Sequence, residues 1–141
     1  MTPALIPFAE GELGLDWLVL VEYLKNGHQL AKAEIEDLFL YRGSDTLLSR
    51  SAWIDGMGLL TKTATVFPNN TKSGQSMIDG GVMLFDDGDG QLEAVINFHL
   101  ITKWKTAGDS LMAALALAPE SAKKILIVGA GTVGYSLFEA F

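Results

Sequence analysis

Lys123-Lys124-Ile125-Leu126-Ile127-Val128, followed by Gly129-Ala130-Gly131-Thr132-Val133-Gly134, reads as an apolar strand running into a glycine-rich turn, with a short helical stretch to Phe141. An apolar run without polar interruption fits a strand buried on both faces of a parallel sheet. G-x-G-x-x-G at the end of such a strand is the dinucleotide-binding fingerprint. Its first glycine permits the tight turn, its second lets the backbone approach a pyrophosphate, and its third lets helix pack on strand. The helix N-terminus beyond offers free amides and a positive dipole end to phosphate. A glycine-rich surface turn is the competing interpretation, and the strand–turn–helix context favours the cradle. A nucleotide-binding βαβ unit takes about 30 residues, with an acidic ribose-binding residue about 20 positions past the glycines. Neither fits between Gly134 and Phe141. The expectation is therefore the front portion of a longer protein, truncated early in its nucleotide-binding domain, with 1–119 as a first domain and 120–141 as the start of a second.

A chain of 141 residues is long enough for a sizeable core. Its formal charge of −7 argues against nucleic-acid or anionic-membrane partners, which require clustered Lys and Arg. Without cysteine there is no disulfide, thiolate metal site or cysteine nucleophile, and His28 and His99 are too isolated for a metal centre. No apolar run approaches the roughly 18 residues of a membrane span and no basic leader opens the chain, so a cytoplasmic protein is expected.

Along the chain, Asp16 is placed to cap a helix from Trp17 to Asn26, with Gly27 as a left-handed stop. Residues 31–42 mix helix propensity with the strand-like Leu38-Phe39-Leu40-Tyr41, and the strand is preferred there. Thr46–Trp53 and Leu59–Phe67 read as strands joined by a turn at 54–58, and Pro68 opens a polar loop to Ser76. Val82–Phe85 and Leu92–Ile96 form a hairpin across Asp86-Asp87-Gly88-Asp89-Gly90. The acidic turn lacks the ligand order of a calcium loop, because Gly88 or Gln91 falls where an oxygen ligand is needed, so a solvated turn is expected. Thr102–Ala118 reads as a helix with Thr102 as cap and Pro119 as stop.

Two lysines stand out. Alternation puts Lys62 on one strand face with Leu60, Ala64 and Val66, so the cation either snorkels outward or faces a charged group in a pocket. A lysine that guards a sheet edge is the competing interpretation. Lys105 falls in the first turn of the Thr102 helix, where a cation opposes the helix dipole unless an anion is near. A substrate carboxylate or cofactor phosphate would supply that anion, with Thr106 beside it; an exposed helix lysine is the alternative.

The ordered blocks Leu60-Thr61-Lys62-Thr63-Ala64-Thr65-Val66-Phe67-Pro68-Asn69-Asn70, Gly80-Gly81-Val82-Met83-Leu84-Phe85-Asp86-Asp87-Gly88-Asp89-Gly90, Ile101-Thr102-Lys103-Trp104-Lys105-Thr106-Ala107-Gly108-Asp109-Ser110 and Ile125-Leu126-Ile127-Val128-Gly129-Ala130-Gly131-Thr132-Val133-Gly134 resemble the ornithine cyclodeaminase/μ-crystallin family. The resemblance implies an α+β substrate and dimerisation domain followed by the first βα unit of an α/β Rossmann domain, in a homodimer formed through the N-terminal domain. It implies NAD or NADP as cofactor and an enzyme acting on the C–N bond of a small amino acid or cyclic imino acid. Ornithine cyclodeaminases, alanine dehydrogenases and ketimine or pyrroline-carboxylate reductases are its members, and a non-catalytic ligand carrier of the μ-crystallin type is the alternative. The resemblance gives Lys62 the catalytic role facing substrate and gives the substrate carboxylate to Arg50 and Lys105. Cofactor contacts fall to Thr106, Gly129, Gly131, Thr132, Val133 and Gly134. Lys105 stands where the family has arginine, so a point charge replaces a two-pronged grip. The 141-residue chain alone is expected to be inactive, at most a dimerisation module.

Overall fold

The computed structural model describes residues 2–141. Six strands make one sheet: β1 (Ala4–Ile6), β2 (Glu34–Arg42), β3 (Asp45–Ile54), β4 (Gly58–Val66), β5 (Ile78–Phe85) and β6 (Leu92–Asn97). Their order is β1-β6-β5-β4-β3-β2, antiparallel throughout except that β1 lies parallel to β6. Four helices accompany it: α1 (Phe8–Leu13), α2 (Trp17–Gly27), α3 (Phe98–Leu117) and α4 (Thr132–Ala140). The result is a mixed α/β fold.

Register decides what faces what. Asp37, Arg50, Lys62, Val82, Ile96 and Ile6 stand opposite one another across all six strands and so project from one face. α3 covers the β5–β6 part of that face. Its buried stripe of Leu100, Trp104, Ala107 and Leu111 recurs at helical spacing, and Val82 and Ala94 are buried beneath it. Gly80 makes this approach possible: a Cβ there would lie 2.1 Å from the Thr63 carbonyl oxygen and 2.7 Å from the Phe98 ring. Phe98 therefore seats directly on the sheet. α2 packs against the outer side of α3, where Trp17 stacks on Trp104 with ring centroids 3.8 Å apart. Each large side chain buried in this layer stabilises the fold by about 1.5–3 kcal/mol.

The opposite sheet face carries Leu38, Leu40, Trp53 and Met83, all exposed, with two hydroxyl pairs on β3 and β4. Ser49 Oγ lies 3.0 Å from Thr63 Oγ1, and Ser51 Oγ lies 2.9 Å from Thr61 Oγ1.

Several expectations need correcting. Gly27 ends α2 from inside the helix, and His28 closes it with φ −68°, so no left-handed stop is used; the Asp16 cap does form, accepting from the Leu18 and Val19 amides. Pro68–Ser73 is a 3-10 turn rather than plain loop. α3 begins at Phe98, with Asn97 as its cap accepting from the Leu100 amide, so Thr102 is helical and Lys105 stands in the second turn. The dipole argument for an anion at Lys105 falls with that shift. The acidic hairpin is not simply solvated: Asp87 accepts from Trp53 Nε1 at 2.6 Å and from the Gly56 amide at 2.8 Å, bracing the β3–β4 turn. Residues 123–128 form no regular secondary structure and pair with no described strand, leaving Leu126 86% and Val128 91% exposed where a buried strand was expected. A strand is buried by its neighbours, and no described strand pairs with this segment.

Candidate active site at Lys62

β4 is an interior strand, flanked by β3 and β5, so Lys62 does not guard a sheet edge. It stands where the apolar half of the sheet face meets the charged half. Its Nζ donates to Thr102 Oγ1 at 2.9 Å and sits 4.6 Å from the centroid of the Phe98 ring. Thr102 in turn donates its hydroxyl proton to the Phe98 carbonyl at 2.8 Å, so a lone pair is what it offers the lysine. Lys62 has no carboxylate within ion-pair distance among the described residues. Partial burial first, and the positive charge of Lys105 second, lower its pKa from the ordinary lysine value. A half-buried ammonium held by a hydroxyl and a ring, with no counter-ion among the described residues, is a cation whose charge is not balanced by an ion pair.

Arg50 is the register neighbour of Lys62 on β3 and shares its face. Its guanidinium is held from the other side by Asp37 of β2, Nε to Oδ1 at 2.7 Å and Nη2 to Oδ2 at 2.6 Å. This two-pronged bond lowers the Asp37 pKa and raises that of Arg50. It also fixes the plane of the fork and leaves Nη1 uncommitted. Lys105 pairs with Asp109 one turn along α3 and is largely exposed, yet is near enough for its charge to bear on Lys62. The family resemblance named Lys62, Arg50 and Lys105; register sets Arg50 beside Lys62 on one face, and the charge of Lys105 bears on Lys62. Thr102, which holds the lysine, carried no such signal: it reads as a cap.

The glycine turn is built as its spacing predicts. Gly129 takes φ +112°, a conformation that L side chains rarely adopt. A Cβ at Gly134 would lie 2.6 Å from the Gly129 carbonyl oxygen, so helix and turn need that hydrogen. Gly131 caps α4 without a side-chain bond, and a Cβ there would meet nothing within 4 Å. Internal packing therefore does not require the second glycine, and the space above it is free for a close-lying group such as a pyrophosphate. Gly129, Gly131, Thr132, Val133 and Gly134 border a hollow of about 520 Å³, together with Ser110 of α3. Thr106 does not line it; its carbonyl accepts from Ser110 Oγ one turn away. Lys62 is not among the residues lining this hollow either.

The chain thus carries, on one fold, a lysine without an ion-pair partner among the described residues and a glycine turn of the dinucleotide-binding type. The ornithine cyclodeaminase/mu-crystallin family pattern matches residues 54–141, and the chain belongs to that family. It is 42% identical over 139 residues, 99% of its length, to the Δ1-pyrroline-2-carboxylate reductase of Paracoccus denitrificans, of which it covers 44%. The fold superposes on an archaeal alanine dehydrogenase dimer with bound NAD at a TM-score of 0.87, with 21% identity over 99% of this chain and 45% of that one. It superposes on Thermococcus litoralis Δ1-pyrroline-2-carboxylate reductase, solved with NADH and L-proline, at 0.80, with 23% identity over 97% of this chain and 45% of the other. The chain thus spans less than half the length of these relatives. Among the described residues no helix is long and apolar enough to cross a membrane.

Proposed function

We propose that this chain is the substrate-binding part, with the first nucleotide-binding turn, of an NAD(P)-dependent cytoplasmic enzyme that reduces the C=N bond of a cyclic imino acid bearing a carboxylate. Residues 1–119 form the substrate and dimerisation unit, and 120–141 open the cofactor domain. The observation that carries this reading is Lys62: a half-buried cation without an internal anion, beside Arg50, on the face that the family resemblance assigns to substrate. The similarity to a pyrroline-carboxylate reductase over nearly the whole chain supports a cyclic imine. Lys105 in place of an arginine weighs against ornithine as substrate.

Each residue has a role its chemistry allows. Arg50, its plane fixed by Asp37, and Lys105 draw the substrate carboxylate to the face. Lys62, with its pKa lowered, gives a proton to the imine nitrogen while the carbon accepts a hydride. Thr102 aims that proton. A dinucleotide held at Gly129, Gly131, Thr132, Val133 and Gly134 would supply the hydride, and the protein's contribution is orientation and charge. A second copy of the chain covers the exposed face of Leu38, Leu40, Trp53 and Met83, making a homodimer.

The test is NADH- or NADPH-dependent reduction of pyrroline-2-carboxylate by the complete protein that carries this chain. Lys62→Met should lower kcat at least ~100-fold while dinucleotide affinity holds. Unchanged turnover in that variant would refute the assignment. Binding of the imine with no reduction by the wild type would favour the ligand-carrier alternative.

A further inference from the structure

Lys103 is a cation the site does not use, and among the described residues it bridges two carboxylates at once. Its side chain is only 16% exposed. Its ammonium donates to Glu12 of α1 at 2.5 Å and reaches Glu139 of α4 at the same distance. It also lies 5.9 Å from the ring centroids of Phe8 on α1 and of Trp104 on its own helix. Three helices distant in sequence therefore converge on one nitrogen. Burial works against its charge, but the bonds to Glu12 and Glu139 outweigh that effect, and its pKa is raised. The lysine stays charged across the physiological range.

Its place on α3 matters. Thr102, the preceding residue, bonds Lys62 of the sheet, while Lys103 bonds the helix that follows the glycine turn. Two successive positions on one helix point about 100° apart, so α3 has one hand on the catalytic face and the other on the cofactor turn. Lys103 also borders a hollow of about 500 Å³ together with Ala130, Gly131, Thr132 and Tyr135, which places it alongside the turn itself. Gly134 and Gly129 lock the turn to the start of α4, so whatever fixes α4 fixes the turn.

We propose that Lys103 is a positioning residue: by clipping α4 through Glu139, and bracing itself on Glu12, it sets the glycine turn at a fixed place relative to Lys62. This rests on the reading of that turn as a dinucleotide cradle and of Lys62 as the reacting lysine. Lys103 touches neither cofactor nor substrate in this scheme. Its effect is geometric, since hydride transfer tolerates little displacement of the reacting atoms.

The experiment is amide hydrogen exchange on the complete protein that carries this chain and on its variants, paired with NADH titration by fluorescence. Lys103→Met should speed exchange of the α4 amides roughly 10-fold or more while those of β4 and α3 hold. Lys103→Arg, which keeps the charge and can reach both carboxylates, should restore protection. Glu139→Gln, which spares the buried end of the network, should loosen α4 alone. If Lys103→Met unfolds the chain generally, Glu139→Gln remains decisive: unchanged α4 exchange in that variant overturns the clip. Failure of Lys103→Arg to restore protection overturns it as well. NADH affinity should fall in Lys103→Met and recover in Lys103→Arg. A protein that binds no NADH in any variant, yet loses α4 protection as described, would keep the clip and defeat the cofactor reading.

Discussion

Lys62 Nζ and Thr102 Oγ1, forty residues apart in sequence, meet at 2.9 Å, with the threonine proton already given to the Phe98 carbonyl. The threonine can only accept from the lysine. Thr102→Val should therefore remove the group that aims the ammonium while leaving a side chain of similar shape, and kcat for imine reduction should drop about 10-fold with KM little changed. Thr102→Ser keeps the acceptor and should retain most activity. Steady-state kinetics of the two variants side by side decides the matter; equal activity in both would leave Thr102 without a role.

The lowered pKa of Lys62 has a stability consequence. In the folded state the group releases its proton at lower pH than in the unfolded chain, whose lysine value is 10.5. Between those two points the unfolded state binds more protons, so stability rises with pH across that window. Below the folded pKa the charged lysine is a standing penalty. Lys62→Met should thus melt above wild type at pH 7, and the gap should narrow as pH approaches 10.5. Melting curves over that range, read by circular dichroism, check both sign and trend.

Gly80→Ala should be severely destabilising. The new methyl would meet the Thr63 carbonyl oxygen at 2.1 Å and Phe98 at 2.7 Å, and the backbone oxygen cannot step aside. Overpacking of this kind costs about 1–3 kcal/mol or more. Gly81→Ala, where a Cβ meets nothing within 4 Å, is the control. Denaturant titration should separate the two variants cleanly.

Leu40 and Met83 both project from the sheet face opposite Lys62 and are exposed. Leu40→Glu or Met83→Glu should shift the chain from dimer to monomer in sedimentation velocity, because a charge buried at an interface without a partner is costly. A wild-type chain that sediments as a monomer would remove the second copy from that face.

Much of the fold could be read in advance because its signals are local. The β3–β4 and β5–β6 hairpins announce themselves by alternating strands and glycine-bearing turns, and the Asp16 cap by one carboxylate before an apolar run. The start of α3 was hidden because Phe98-His99-Leu100-Ile101 continues the apolar run of β6, so the cap signal at Asn97 was masked by its neighbours. Residues 123–128 read as a buried strand by composition, but strand formation and burial both depend on partners that composition does not name.

The site was legible to the same degree. The cationic residues could be picked out by type and family resemblance, and sheet register brings Lys62 and Arg50 together. What holds them could not. Asp37 reaches Arg50 across thirteen positions, and Glu12 reaches Lys103 across ninety-one. Such pairings exist only after the chain has folded back on itself.

The single parallel pairing in the sheet sets an order of events. Ala4 stands against Ala94, Leu5 against Val95 and Ile6 against Ile96. As the polypeptide leaves the ribosome, its first strand is made early yet has no seat until β6 has emerged. Closing so long a loop is entropically expensive and slow relative to zipping adjacent hairpins. The amino-terminal segment is therefore the last edge to be stitched in, and nascent chains interrupted before residue 94 carry it loose.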